Sequence, residues 1–132
     1  MPTPITASTL SALLSAALAQ TPTRPLVLAL DGRCGSGKTT LANGLAAQLP
    51  AQPLVILEGS YSHHPLLRPY ETLRVFVTCT KAEQTRRLQA REGARYADFA
   101  ARWVPLEEGY FAQYGIAESA DFVVDTTQGG TI

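Results

Sequence analysis

The sequence predicts an α/β protein in three layers, with helices on both faces of a mainly parallel sheet. Two observations carry that expectation. Short apolar runs recur at 26–30, 54–57, 74–79 and 121–125. They are too uniform to have one wet face, as strands buried on both faces should be. The segments between the first two runs and between the last two carry helical spacing, and alternating strands and helices mark parallel crossover units. The length, 132 residues, fits one domain spanning 1–132, and a chain of this size buries roughly two-thirds of its unfolded surface.

The elements follow in order. In "LSALLSAALAQ", residues 10–20, an apolar stripe of Leu10, Leu13, Leu14, Ala17 and Leu18 predicts a helix within 1–20, and Pro4 suits its start. The same run resembles the core of an export signal with an A-x-A ending. No Lys or Arg precedes it, and Ser and Thr interrupt it, so the helix is the expectation and the cytoplasm the expected compartment. "TPTRP" links this helix to a core at 26–127, whose first strand is Leu26 to Leu30. Leu41, Leu45 and Leu49 then recur at helical spacing until Pro50.

The second strand, Leu54 to Leu57, runs into Glu58 and Gly59, and a loop or short helical turn follows. His63 and His64 sit side by side in it, but too few further ligands stand at a usual spacing to predict a metal site. Arg74 to Cys79 reads as the third strand. Thr80 and Glu83 have the spacing of a capping box and open an arginine-rich helix. Phe99, Trp103, Tyr110, Phe111 and Tyr114 mark a further helix, read as core, with a kink or restart at Pro105. Asp121 to Asp125 is the fourth strand, and "TTQGGTI" reads as a frayed tail.

Composition excludes some classes of function. Formal net charge is zero, so no overall attraction to nucleic acid or anionic membrane is expected. No apolar run reaches the ~18 residues of a membrane span. Cys34 and Cys79 suggest neither a disulfide framework nor a zinc site, and read as reduced thiols.

The densest chemistry lies in "DGRCGSGKTT", residues 31–40. Gly32, four residues, Gly37, Lys38 and Thr39 fit the phosphate-binding pattern G-x-x-x-x-G-K-[ST], and the pattern needs a strand before it and a helix after it. Both are expected here. Glycines let the loop curl with its N–H groups inward as an anion nest, and the following helix adds its positive end. Lys38 can reach the outer phosphates, and the Thr39 hydroxyl can ligate Mg²⁺. Arg87, Arg91 and Arg95 stand four apart, and an unbroken helix would set them on one face, though Gly93 interrupts. Next to a phosphate loop, such a face reads as a mobile lid that brings cations to the moving group. Without that context it would read as a solvated basic face.

Three stretches, "LDGRCGSGKTTLA" (30–42), "LVILEGSYSHHPLLRPYETLRVFVTC" (54–79) and "RWVPLEEGYF" (102–111), resemble the uridine kinase-like branch of the P-loop nucleoside and nucleotide kinases. The likeness covers most of 24–127. It implies a three-layer α/β/α P-loop NTPase fold with strand order 2-3-1-4-5. It also implies transfer of the γ-phosphoryl of ATP or GTP, with Mg²⁺, to a small hydroxyl acceptor such as a nucleoside. On this resemblance Gly32, Arg33, Cys34, Gly35, Ser36, Gly37, Lys38, Thr39 and Thr40 would hold the NTP phosphates. Lys38 would bridge toward the γ-phosphoryl, Thr39 would bind Mg²⁺, Glu58 would sit across the site near a Mg²⁺ water or the acceptor, and Arg87, Arg91 and Arg95 would cover the phosphates.

The chain departs from these kinases in one respect. They carry a second strand after the first helix, ending in an aspartate that serves as base and acceptor contact. Here only "PAQP", residues 50–53, separates the helix from the next strand. Loss of that edge strand leaves the order 3-1-4-5, with the "LVIL" strand as an exposed apolar edge suited to pairing with another chain, as in a homodimer. Three activities stay open: a kinase with a rebuilt acceptor site, drawn from Glu58, Tyr61, His63, His64 and Arg68 or from a partner chain; a nucleotide-binding module; or an NTPase that transfers to water.

Overall fold

The computed structural model describes residues 2–129; the end of the expected tail, 130–132, lies outside the described residues. Five strands form one all-parallel sheet: β1 (Thr3–Ile5), β2 (Leu26–Gly32), β3 (Leu54–Glu58), β4 (Leu73–Thr78) and β5 (Phe122–Asp125). Their order is β1-β5-β4-β2-β3. The four strands expected from the sequence stand in the expected order, with β3 at one edge. The fifth strand, β1, occupies the other edge and was not foreseen.

That strand corrects the reading of Pro4, which lies in β1 and not at a helix start. Proline has no N–H to give, so an edge is where a sheet tolerates it. Helix α1 (Ala7–Leu18) begins after Thr6, whose hydroxyl accepts the N–H of Thr9. Its buried residues are Ala7, Leu10, Ser11, Leu14 and Leu18. Leu13 and Ala17, placed on the apolar stripe by the sequence reading, are exposed. The face is rotated toward Ser11, whose hydroxyl donates to Gln48 Oε1 on the neighbouring helix α2 (Lys38–Gln48).

Strand periodicity sorts the core onto the two sheet faces. Leu28 and Leu30 of β2, Val75 and Val77 of β4 and Val124 of β5 pack with Leu10 and Leu14 of α1 and Leu41 and Leu45 of α2. On the other face Phe76 meets Tyr110 and Phe111 of α4 (Tyr96–Tyr114) and Ile116 of the short α5 (Ile116–Ser119). Each of these fully buried side chains contributes about 1.5–3 kcal/mol. The second layer of helices stops short of β3, where Val55 and Leu57 remain 50 % and 38 % exposed.

Helix α3 (Lys81–Glu92) has the expected Thr80 cap, with Glu83 N–H donating to Thr80 Oγ1. It ends at Gly93, whose φ of 56° is left-handed. Helix α4 neither ends nor restarts at Pro105, which lies inside it. The tail reading also needs correction. Thr126 is buried, and its N–H donates to Thr78 O, extending the β4–β5 pairing by one rung. Among the described residues, no helix is long and apolar enough to cross a membrane.

Candidate functional site

The site forms at the C-terminal ends of β2 and β3, where an open parallel sheet places its ligands. Gly32 closes β2 with φ 147°, and a Cβ there would sit 1.9 Å from Val77 O on the neighbouring strand. Only glycine lets the chain leave the sheet at that point. Gly35, with φ 76°, faces Leu88 of α3, 3.1 Å from where its Cβ would be. The loop is thus pressed between β4 and α3. Gly37, also left-handed, turns the chain into α2, whose first hydrogen bond is Leu41 N–H to Gly37 O. The N–H groups of Lys38, Thr39 and Thr40 in the first turn have no intrahelical acceptor, and they present a positive end to the loop.

Lys38 folds back over this loop. Its Nζ donates to Gly32 O and Arg33 O, both at 2.9 Å. Burial lowers its pKa, which nearby carboxylates, Glu107 first, partly restore. Thr39 Oγ1 donates to Glu58 Oε1 at 3.1 Å. These two residues, paired on the sequence reading, are brought together by the register Leu30↔Glu58 at the end of β2 and β3.

A cleft of about 640 Å³ opens over the loop, with Gly32, Cys34, Gly35, Gly37, Lys38, Thr39 and Thr40 in its wall. Arg33 and Ser36 serve the loop from outside the cleft. Arg33 pairs with Glu108 and lies over the Phe111 ring. Ser36 is buried, and its carbonyl accepts the Thr126 hydroxyl at 2.5 Å.

The three arginines part company. Arg87 is built into the loop's support: its guanidinium donates to Gly35 O at 3.2 Å, to Thr126 Oγ1 at 2.9 Å and to Glu83 Oε2 at 3.1 Å. Arg91 borders the cleft and stacks on Phe99. Arg95 lies past the Gly93 break, exposed and away from the cleft wall. Of the five aromatics read as core, four line the cleft, Phe99, Trp103, Tyr110 and Phe111; Phe99 and Trp103 belong to neither core cluster, and Trp103 is 49 % exposed, which corrects the core reading for these two. Tyr61, also in the cleft wall and edge-on to the Tyr110 ring at 4.7 Å, holds a left-handed φ of 69°, a strain typical of functional loops.

His63 and His64 act locally. His63 is fully buried and its Nε2 lies 2.8 Å from Ala29 O, while burial pushes its pKa down. His64 Nδ1 accepts from Leu66 N–H, and its ring packs on Tyr114. Arg68 turns away toward Ser119.

Sequence reading missed two carboxylates. Asp31, buried at the end of β2, accepts from Gly32 N–H at 2.7 Å, His63 N–H at 3.1 Å and the Tyr110 hydroxyl at 2.6 Å. Burial and this bond raise the Tyr110 pKa. Glu107 on α4 accepts the Cys34 N–H at 2.6 Å. Burial raises its pKa, and burial followed by Glu107 raises that of the Cys34 thiol. Both had signals. Asp31 is an acid directly after an apolar run, and Glu107 shares the helix face of Trp103, Tyr110 and Phe111 at spacings of three and four.

Such a site can receive an anion on its N–H groups and cation, and can hold a small hard metal ion between hydroxyl and carboxylate. Comparison with protein-family models finds no match, and comparison with curated proteins finds none either.

Proposed function

We propose that this chain is a P-loop phosphotransferase of the uridine kinase-like kind. It binds ATP or GTP with Mg²⁺ and passes the γ-phosphoryl to a small hydroxyl acceptor such as a nucleoside, at low turnover. One observation carries this reading: the G-x-x-x-x-G-K-T loop stands between a buried parallel strand and a helix, with the Thr39–Glu58 pair beside it. The residues fit the metal. A hydroxyl and a carboxylate are the hard oxygen donors Mg²⁺ takes, and it fills its other positions with phosphate oxygens and water. When bound, the ion neutralises charge on the phosphates. Lys38 and the N–H groups of the α2 N-terminus orient the triphosphate, and Arg87 holds the loop in shape.

A second reading, nucleotide binding or NTP hydrolysis without transfer to a specific acceptor, is favoured by the short α2–β3 link. Residues 49–53 contain no acid, so the usual aspartate has no position. We also propose that the bare β3 edge pairs with a second copy.

Melting curves and ADP assays test the reading. At ~100 times its Kd, MgATP would stabilise the fold by about 2.7 kcal/mol, a rise in Tm on the order of 10 °C. Lys38→Ala and EDTA should each abolish most of it. No rise with any NTP at millimolar concentration refutes nucleotide binding. ADP made faster with uridine or cytidine than with water separates kinase from NTPase.

A further inference from the structure

A metal and a phosphate loop do not complete a transfer to a hydroxyl, because the attacking oxygen must also lose its proton. Four carboxylates lie near the loop, and their partners tell them apart; Glu108 is spent on the Arg33 ion pair and stands outside the cleft wall. Both oxygens of Asp31 are engaged, with three donors between them, and the residue is 1 % exposed. Glu58 accepts from Thr39 and stands outside the cleft wall. Glu107 lines the cleft, and its Oε1 is fixed by the Cys34 N–H. Its Oε2 meets only the Cys34 thiol, at 3.6 Å, which leaves lone pairs to offer.

Its position along the loop is equally specific. Lys38 Nζ rests on the carbonyls of Gly32 and Arg33, and Glu107 is bound at the next residue, Cys34. The cation that reaches an outermost phosphoryl and this carboxylate therefore occupy the same end of the loop. The adjacent Glu108–Arg33 ion pair ties α4 down at that end. Partial burial raises the proton affinity of Glu107, which favours proton uptake by a group already placed there.

We propose that Glu107 is the proton acceptor for phosphoryl transfer, supplied by α4 where the short α2–β3 link supplies no acid. This rests on the nucleotide reading above. In the step, the acceptor oxygen bonds to the γ-phosphorus. The bond from that phosphorus to the β–γ bridging oxygen breaks, and its electron pair leaves with the nucleoside diphosphate. The hydroxyl proton passes to a Glu107 carboxylate oxygen. The same carboxylate serves when water is the acceptor.

Glu107→Gln keeps the shape and removes the base. MgATP affinity is read by calorimetry, and ADP formation is read with uridine, with cytidine and with water alone. The expected result is a rate at least ~100-fold lower with Kd changed less than about threefold. Glu107→Asp, one methylene shorter, should lose about 10- to 100-fold at unchanged Kd, and it carries the test where Glu107→Gln fails to fold. A retained rate overturns the proposal. So does a Kd that weakens in step with the rate, which marks a binding or structural role. Tighter MgATP binding at an undiminished rate overturns it too, because the carboxylate would then merely block the loop. Wild-type protein that binds MgATP but makes no ADP refutes Glu107 as base and leaves nucleotide binding intact. Wild-type protein that does not bind MgATP refutes both.

Discussion

Asp31 shows how much one buried carboxylate can organise. It gathers the start of the glycine-rich loop, the turn after β3 and the C-terminal part of α4 through three donors. Removing it orphans all of them. Asp31→Ala should therefore cost about 3 kcal/mol or more, and Tyr110→Phe about 1.5–3 kcal/mol, read from urea unfolding. His63 sets a pH dependence in the same neighbourhood. Its folded pKa lies below the ordinary 6.5 because burial disfavours the charged ring. The fold then binds fewer protons than the unfolded chain, so stability is whole above about pH 6.5 and falls as pH drops through the folded pKa. The urea midpoint should decline between pH 7.5 and 5, and His63→Gln should flatten that decline. Of this cluster the sequence shows His63 but not that its N–H would be given to Asp31. The partner is set by register and by the angle at which α4 crosses the sheet, and neither is local.

At the scale of elements, the arginine helix divides by depth. All three arginines look alike in the sequence because spacing of four describes a helix that Gly93 in fact ends. Arg87 bonds the loop, Thr126 and Glu83, so Arg87→Ala should destabilise by about 1–3 kcal/mol, whereas Arg95→Ala should stay within about 0.5 kcal/mol. Gly32→Ala would push a Cβ to 1.9 Å from Val77 O and should cost at least about 2 kcal/mol through strain and displaced β4. Circular dichroism melts of the three variants would rank them. Long, periodic elements were legible: four strands and the helix after the loop follow from apolar runs and from Leu41 and Leu45. The three-residue β1 was not, because "TPI" is too short for a period and its pairing with β5 is a contact across almost the whole chain. The role of Thr126 was hidden for the same reason, since its partners lie in the loop and in α3.

For the whole molecule, the two sheet edges differ in cover. β1 is brief and carries proline, a protected edge. β3 exposes Val55 and Leu57 beside an unpaired row of backbone groups, which invites a second chain. Wild-type protein should associate in sedimentation experiments as its concentration rises, and Val55→Lys should keep it monomeric with little change in Tm. A monomer at every concentration would remove the edge from consideration.

The strand order has a further meaning for the chain as it is made. Among the described strands β1 precedes the other four and pairs with β5, which follows them. Until β5 is made, the leucines of α1 can reach the sheet but cannot be fixed beside their own strand. The central trio β3-β2-β4 can assemble from residues 26–78 alone, yet the glycine-rich loop waits for Thr126 before it is locked. Long-range parallel pairing is slow to form. The nascent polypeptide thus holds the apolar α1 unclosed until residues 122–125 are made, and the glycine-rich loop reaches its final form only after synthesis has passed β5.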